Sequence, residues 1–214
     1  MDIIDSLEWR YACKKFDEKS KLTEDQLKRL KKAFNLTATS FGLQPVKMLI
    51  ITDNETKGKI FKYSYFQKQI TTCSHLLVLC INTVMDDQTI DNYFELEKEI
   101  RGTSEEVISK FRNQLKQIFK GKSQNEIEQS AINQAYIILG NLMTVCAVEG
   151  IDSCPMEGFV PEKVDEILGL NDKNLKSVLM LPVGFRAEDD FMRSLKKVRK
   201  PIENLIFEDV MIKS

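Results

Sequence analysis

Hydrophobic residues recur at helical spacing in several parts of the chain. Residues 2–12 predict a short helix, whose apolar stripe consists of Ile3, Ile4, Leu7 and Tyr11. The segment KLTEDQLKRLKKAFNLT (21–37) predicts a clearer helix, with an apolar face of Leu27, Leu30 and Phe34. Thr23 is suited to cap its first turn. Residues 91–120 are rich in Glu, Lys, Gln and Leu and predict helix, with RGTS (101–104) as a possible break.

Three other segments have the apolar runs of buried strands. They are VKMLIIT (46–52), LLVLCI (76–81) and SVLMLPVGF (177–185). LLVLCI is apolar throughout, as expected for a strand that is covered on both faces of its sheet. Three scattered strands are too few for a run of βαβ units, so the pattern favours an α+β fold.

The longest apolar segment, residues 125–151, begins amphipathic and ends apolar on nearly every side. A helix of this kind belongs in the middle of a domain or in a dimer interface. Gly140 fits close packing of such a helix, and Gly150 fits its C-terminal cap. No repeat, linker or change of composition divides the chain, which predicts a single domain over residues 1–214.

Composition and charge exclude several function classes. The net charge is −1, with 43% hydrophobic and 29% charged residues, and a near-neutral chain argues against nucleic-acid or anionic membrane partners. No apolar run is long enough to span a membrane, and MDIIDSLEWR is not a signal peptide. The five scattered cysteines predict reduced thiols in the cytoplasm. His75, the single histidine, leaves no basis for a His-based metal site or triad.

Most common catalytic motifs are absent, including the dinucleotide fingerprint, the phosphate loop and the nucleophile elbow. Two basic clusters remain, RYACKKF (10–16) and RSLKKVRK (193–200). Each alone is most simply a solvated face. However, Lys197 and Arg199 alternate with Val198 and would project to one side of an extended segment, which suits a phosphate clamp.

A turn-forming segment, DSCPMEGF (152–159), follows the apolar helix. Backbone N–H groups in such a turn can point at a ligand, although the segment could equally be a plain loop between helices.

Together these segments resemble the nitroreductase family of FMN-dependent NAD(P)H reductases, and in particular its oxygen-insensitive bacterial branch. The resemblance covers nearly the whole chain in order, through MDIIDSLEWRYACKKFDEKSKLTEDQ, TSFGLQP, CSHLLVLCINTVMDD, GNLMTVCAVEGIDSCPMEGF, VLMLPVGFRAEDDF and LKKVRKP. It implies a three-layer α+β sandwich with a central, mostly antiparallel sheet. It further implies an intertwined homodimer with long central helices, exchanged C-terminal arms and two FMN molecules at the interface.

The resemblance implies that both basic clusters bind one FMN. Arg10 resembles the family's phosphate-binding arginine, and Lys197 and Arg199 resemble the pair that completes the phosphate site. Tyr11 and Ala12 lie on the same cofactor-binding turn. Lys14 resembles the lysine beneath the pyrimidine end of the flavin, where a cation stabilises the reduced ring.

The remaining site residues follow from the same comparison. The resemblance implies that one loop covers a flavin face and uses its backbone to bind N5, and this loop consists of Pro155, Met156, Glu157 and Gly158. Thr39, Ser40 and Gly42 would reach across from the partner chain. Gln69 would lie near the flavin ring, and Gln134 is a weaker candidate. Lys14 and Glu157 receive the catalytic roles, with no metal.

The chain departs from the family pattern at three positions. Ala12 stands where the family usually has serine, Phe66 where it has asparagine, and Gly42 where a polar residue is common. These departures put individual flavin contacts in doubt. An aromatic side chain from residues 111–119, either Phe111 or Phe119, is a candidate gate for the pocket.

The activity that the resemblance implies is ping-pong transfer from NADH or NADPH, through FMN, to nitroaromatics, quinones or related small molecules. One alternative is a specialised dihydropteridine or enone reductase on the same fold. Another is a protein that binds or senses flavin without turnover. A third is a structural dimer without cofactor, which would leave both basic clusters and CPMEGF unexplained.

Overall fold

The computed structural model describes residues 2–208. Its α-helices are Ile3–Trp9 (α1), Glu24–Leu36 (α2), Asn54–Lys62 (α3), Gln69–Thr72 (α4), Asp87–Arg101 (α5), Glu105–Lys120 (α6), Gln124–Val148 (α7) and Pro161–Leu168 (α8). Its strands are Val46–Ile51 (β1), His75–Asn82 (β2), Asp152–Ser153 (β3) and Leu175–Gly184 (β4). The predicted α+β class is confirmed.

The four strands form one sheet in the order β1-β2-β4-β3, and all three pairings are antiparallel. Alternate residues of β2 face opposite sides. Leu77, Leu79 and Ile81 pack in one apolar cluster with α2 and α7. Leu76, Val78 and Cys80 pack in a second cluster with residues of α3 and α8. The sheet is therefore covered on both faces, as LLVLCI predicted, which gives three layers.

The predicted start of α2 agrees with the structure, whereas the predicted end of α1 does not. Thr23 and Gln26 form a reciprocal capping box at the start of α2, as the sequence predicted for Thr23. The first helix ends at Trp9 instead of near residue 12. Arg10 is already extended, and Ala12 forms a parallel bridge with Ser153. Pairing with the sheet edge thus replaces the last predicted helical turn.

The acidic and basic segment after β2 folds as two helices. The break occurs where RGTS predicted it, because Gly102 adopts the left-handed conformation at φ 67° and ends α5. Helix α6 begins at Glu105, with Ser104 at its N-cap position.

Helix α7 is the predicted apolar helix, and Gly150 follows it with φ 67°. Its length and composition would suit a membrane span, but 44% of its most apolar stretch is buried and it packs on the sheet as a core helix. A Cβ at Gly140 would meet no atom within 4 Å, so the predicted close packing does not occur within one chain.

Several elements were not predicted from the apolar pattern: α3, α4, α8 and the two-residue strand β3. These are short, and their start signals are local: Asp53 caps α3, and Pro161 opens α8. The single-domain prediction for 1–214 stays a prediction, because residues 1 and 209–214 lie outside the described range. The end of the predicted C-terminal arm also falls there.

Candidate functional site

Arg10 of the first basic cluster and residues of the second basic cluster line one cleft, although Arg10 and Lys197 are 187 residues apart in sequence. The cleft is about 560 Å³, within the range typical of small-molecule sites. Its walls come from the end of α1 and from residues 192–199. Lys197 Nζ donates a hydrogen bond to the Arg10 carbonyl, which joins the clusters directly. The predicted residues Arg10, Tyr11, Ala12, Lys197 and Arg199 all line this cleft.

The electrostatics of the cleft favour an anion. Burial and the Arg199 guanidinium lower the pKa of Arg10. Burial, Arg10 and Arg199 in turn lower the pKa of Lys197. Within residues 2–208, Arg10 Nε is buried without a hydrogen-bond partner. Crowded cations and an unsatisfied buried donor are costly unless a negatively charged group compensates them. A phosphate, with roughly −1.5 to −2 charge, would do so.

Asp190 connects the two sides of this cleft and was not predicted from the sequence. Its carboxylate is 4% exposed and accepts hydrogen bonds from Tyr11 Oη (3.1 Å), Lys14 N (2.9 Å) and Met192 N (3.1 Å). Burial alone would raise the pKa of Asp190. The hydrogen bonds, beginning with that of Lys14, outweigh burial and lower this pKa below its usual value. Asp190 therefore aligns the loop after α1 with the segment that carries the second cluster.

Arg186 also shapes the cleft without having been predicted. Its guanidinium lies 4.1 Å from the ring centre of Trp9 and 4.6 Å from that of Tyr11. Asp152, which is 3% exposed, binds Arg186 Nε at 2.8 Å and Arg186 N at 2.9 Å. This buried ion pair holds Arg186 between the two rings. The Asp152 carboxylate compensates the positive charge of Arg186. Within residues 2–208, no carboxylate forms an ion pair with Arg10.

Beside the cleft, Lys14 and Gln69 meet the loop that follows β3. Lys14 Nζ lies 3.5 Å from Cys154 Sγ, and Gln69 Nε2 lies 3.8 Å from the same sulfur. Two predicted site residues from distant segments thus converge on Cys154.

In the loop 155–158, the backbone of Met156 is paired with the sheet, whereas the N–H groups of the next two residues are not. Met156 is buried, and its N–H and carbonyl both pair with Met180 of β4. In the described chain, the N–H groups of Glu157 and Gly158 donate to no protein acceptor. These two N–H groups are the ones available to a ligand. The Glu157 carboxylate raises the pKa of the nearby Tyr136 hydroxyl on α7.

The other predicted residues form a second group. Ser40 N donates to Gln134 Oε1 at 3.0 Å, so buried Gln134 supports the turn that contains Thr39, Ser40 and Gly42. Gly42 has φ 73°, and a Cβ there would lie 2.8 Å from Tyr93 Oη, which explains the glycine at a commonly polar position. Within residues 2–208, no hydrogen bond or ion pair joins this group to the cleft.

Three aromatic residues near these two groups have backbone in the left-handed region: Phe41, Tyr65 and Phe66. Phe41, at φ 57°, has ring centres of Phe111 and Phe119 within 6.5 Å, so both candidate gating residues lie beside the turn 39–42. Tyr65 and Phe66 are exposed, with φ 52° and 55°. Consecutive bulky residues in the left-handed region are uncommon and often mark functional sites. Whether any of them gates the pocket stays a prediction.

Comparison with known proteins agrees with this arrangement. The sequence model of the Nitroreductase family matches residues 7–185, which is most of the chain. This chain belongs to the nitroreductase family. It is 29% identical over 217 residues to the oxygen-insensitive NAD(P)H nitroreductase of Salmonella typhimurium, covering 97% of this chain and 100% of that protein.

Solved structures share the family fold. A protein of Exiguobacterium sibiricum, solved in complex with FMN, superposes with a TM-score of 0.83 at 19% identity, covering 97% of each chain. An enone reductase of gut-bacterial fatty acid saturation superposes with a TM-score of 0.80 at 17% identity, covering 98% of each chain. The nitroreductase fold expected from the sequence is thus confirmed.

Sequence reasoning missed three residues that contact the predicted site residues: Cys154, Arg186 and Asp190. The sequence offered one weak signal, because Asp190 lies in an acidic stretch just before the second basic cluster. Cys154 lies at the start of the segment CPMEGF, but all five cysteines are free and buried, so burial alone does not distinguish it. Within residues 2–208, no group of three or more potential metal-ligating side chains is present.

Proposed function

We propose that this protein is an FMN-dependent NAD(P)H oxidoreductase that reduces nitroaromatics, quinones or related small molecules. The observation that carries the proposal is the meeting of two distant basic clusters around the unsatisfied Arg10 Nε. Family membership and an FMN-bound structural neighbour support it. The residues of the cleft fit the phosphate of FMN in charge and in hydrogen-bond donors.

Each part of the site has a separate task in this proposal. Arg10, Lys197 and Arg199 bind the phosphate, with Tyr11 and Ala12 beside them. Lys14 and Gln69 contact the flavin ring, and the loop from Pro155 to Gly158 covers one ring face. The free N–H groups of Glu157 and Gly158 donate to the ring. Because Met156 is buried against Met180, the loop is held rigidly by β4.

When bound, FMN would supply the redox chemistry between NADH or NADPH and a small-molecule acceptor. The chain itself needs no nucleophile or general base. Lys14 places a fixed positive charge against the flavin. The backbone N–H of Glu157 orients the flavin ring. The surrounding loops exclude water from the ring, which strengthens these electrostatic effects.

We further infer a homodimer. Exposed apolar side chains lie on α1 (Ile3, Ile4, Leu7), on α7 (Tyr136, Ile137, Val148) and in the C-terminal segment (Leu195, Val198, Ile202, Leu205, Ile206, Phe207). Large exposed apolar areas on a soluble protein mark interaction surfaces. The open space above Gly140 would let a second α7 approach closely. In such a dimer, the turn 39–42 of one chain would complete the site of the other.

Replacing Ile137 by glutamate will convert the dimer to a monomer. Ile137 is 56% exposed on α7, and burying a charge in an apolar interface is strongly unfavourable. The monomer will also lose most of its FMN, because Thr39, Ser40 and Gly42 of the partner will be missing. Light scattering after gel filtration measures the mass, and visible absorbance of the same peak measures the flavin content. Ile100→Glu, at an exposed position of α5, is the matched control. A dimeric Ile137→Glu variant would exclude α7 from the interface.

The proposed function is tested by the visible spectrum of the purified protein under anaerobic conditions. We expect flavin bands that bleach when NADPH or NADH is added, and the faster donor identifies the physiological cofactor. Bands that persist with both donors would instead support a flavin-binding protein without turnover. A colourless protein that takes up no added FMN would overturn the proposal. Under the same proposal the enzyme is cytoplasmic, consistent with five free cysteines.

A further inference from the structure

A continuous set of polar contacts links three of the segments that the proposed function assigns to the flavin. Lys14 Nζ and Gln69 Nε2 both donate to Cys154 Sγ. Gln69 Nε2 also donates to Gln67 Oε1 at 3.0 Å. Gln67 Nε2 then donates to the Gly158 carbonyl at 2.9 Å. The set therefore begins at the lysine and ends in the loop 155–158, and Cys154 is where its two branches meet.

Cys154 is buried, and its backbone N–H, its thiol proton and its sulfur all have hydrogen-bond partners. Its side chain is fully buried, and its backbone N–H donates to the Pro182 carbonyl at 3.1 Å. The thiol lies 3.9 Å from the Pro155 carbonyl, to which it donates. The sulfur accepts from the ammonium and the amide on its other side. Sulfur is a weak acceptor that accommodates contacts longer than those to oxygen.

The surroundings of Cys154 favour the neutral form of its thiol. Burial raises the pKa of Cys154, and the nearby cations of Lys14 and Arg10 only partly oppose this rise. A neutral acceptor holds the Lys14 ammonium in place without cancelling its positive charge. A carboxylate in this position would hold the lysine more tightly but would neutralise its effect on the flavin.

We propose that Cys154 is a positioning residue that fixes the Lys14 ammonium and the Gln69 amide against the flavin, and thereby helps to set the flavin's reduction potential. This inference rests on the proposed function. Cys154 itself need not touch the flavin or the substrate, and it acts through the two side chains it holds. Gly158 completes the arrangement, because a Cβ there would lie 2.9 Å from Gln67 Nε2 and displace that amide.

The test compares apoprotein affinity for oxidised and reduced FMN, together with the flavin potential, in five proteins. These are the wild type, Cys154→Ala, Cys154→Ser, Lys14→Ala and the control Cys80→Ala. Cys80 is also fully buried, but it lies in β2, where its thiol donates to the Val78 carbonyl, and within residues 2–208 it has no hydrogen bond with the polar set. Cys154→Ala and Cys80→Ala each remove one buried thiol. A difference between them therefore reflects where that thiol lies in the structure.

We expect Cys154→Ala to reduce the preference for reduced over oxidised FMN by about tenfold, which lowers a two-electron potential by about 30 mV. The reason is that a released Lys14 ammonium moves away from the charge it stabilises. Lys14→Ala will shift the potential in the same direction and at least as far. Cys154→Ser will shift it less, because a hydroxyl still accepts a hydrogen bond, and Cys80→Ala will not shift it.

Two failures are distinguishable. If wild-type protein binds FMN and Cys154→Ala has the same potential as Cys80→Ala, the positioning role is wrong and the proposed function stands. If the wild type binds no FMN, the proposed function falls and this inference falls with it. Should Cys154→Ala not fold, Cys154→Val, which keeps a similar volume without an acceptor, carries the test: a potential and FMN affinities equal to those of the wild type would overturn the inference.

Discussion

Replacing both Lys197 and Arg199 by alanine will give a protein that purifies without flavin. Each side chain is expected to form a charge-assisted hydrogen bond with the phosphate, worth about 1.5–3 kcal/mol. Removing two such bonds weakens FMN binding by at least about 100-fold, since each 1.4 kcal/mol is tenfold in affinity. Titration of the apoprotein with FMN, followed by flavin fluorescence, measures the loss.

The matched control is the double variant Lys28→Ala and Lys32→Ala, which removes two exposed positive charges from α2. It changes the net charge equally but leaves the cleft intact. Restored binding of the Lys197 and Arg199 variant at low salt would indicate that only long-range attraction was lost. Yellow protein with wild-type affinity would show that the second basic cluster does not bind the phosphate.

Replacing Asp190 by asparagine will destabilise the protein and weaken FMN binding at once. The buried carboxylate accepts hydrogen bonds from Tyr11, Lys14 and Met192, and an amide would place its own donor among these donors. We expect a loss of about 3 kcal/mol, which lowers Tm by about 6–12 °C for a chain of this length. Affinity for FMN will fall because the two basic clusters lose their alignment. Thermal unfolding and FMN titration measure the two effects separately.

The pH dependence of this destabilisation follows from the direction of the Asp190 pKa. The pKa is lowered in the folded protein, so the carboxylate stabilises the fold at pH values above its unfolded pKa of about 3.9. This stabilisation is lost as the pH falls through the lower, folded value. The difference in Tm between wild type and Asp190→Asn will therefore be full at pH 7 and shrink below about pH 4.

Asp189→Asn is the control for this prediction. Asp189 adjoins Asp190 in sequence but is exposed, and it forms a surface ion pair with Lys15. Surface pairs contribute little to stability. We expect Asp189→Asn to unfold and bind FMN nearly as the wild type does. Equal behaviour of the two variants at pH 7 would contradict the assigned role of Asp190.

The sequence by itself determined the elements with long or strongly patterned hydrophobic runs. Strands β1, β2 and β4 and helices α2 and α7 were predicted because their apolar spacing reflects burial directly. The break at RGTS was also predicted, because Gly102 adopts a backbone conformation that other residues avoid. The family was recognisable from the order of its motifs, and the comparisons confirm it.

Only the tertiary structure decided how α1 ends and which residues connect the site. Ala12 leaves the helical pattern because it pairs with Ser153, a contact between segments 141 residues apart. Asp190 and Cys154 contact partners 179 and 140 residues away, and Arg186 contacts Asp152, which is 34 residues away. A periodic pattern reports whether a residue is buried, but not which group it meets there. For this protein, the cations proposed to bind the phosphate were predicted from the sequence through its family resemblance, whereas the buried groups that contact them were identified only in the folded chain, because burial patterns do not specify partners.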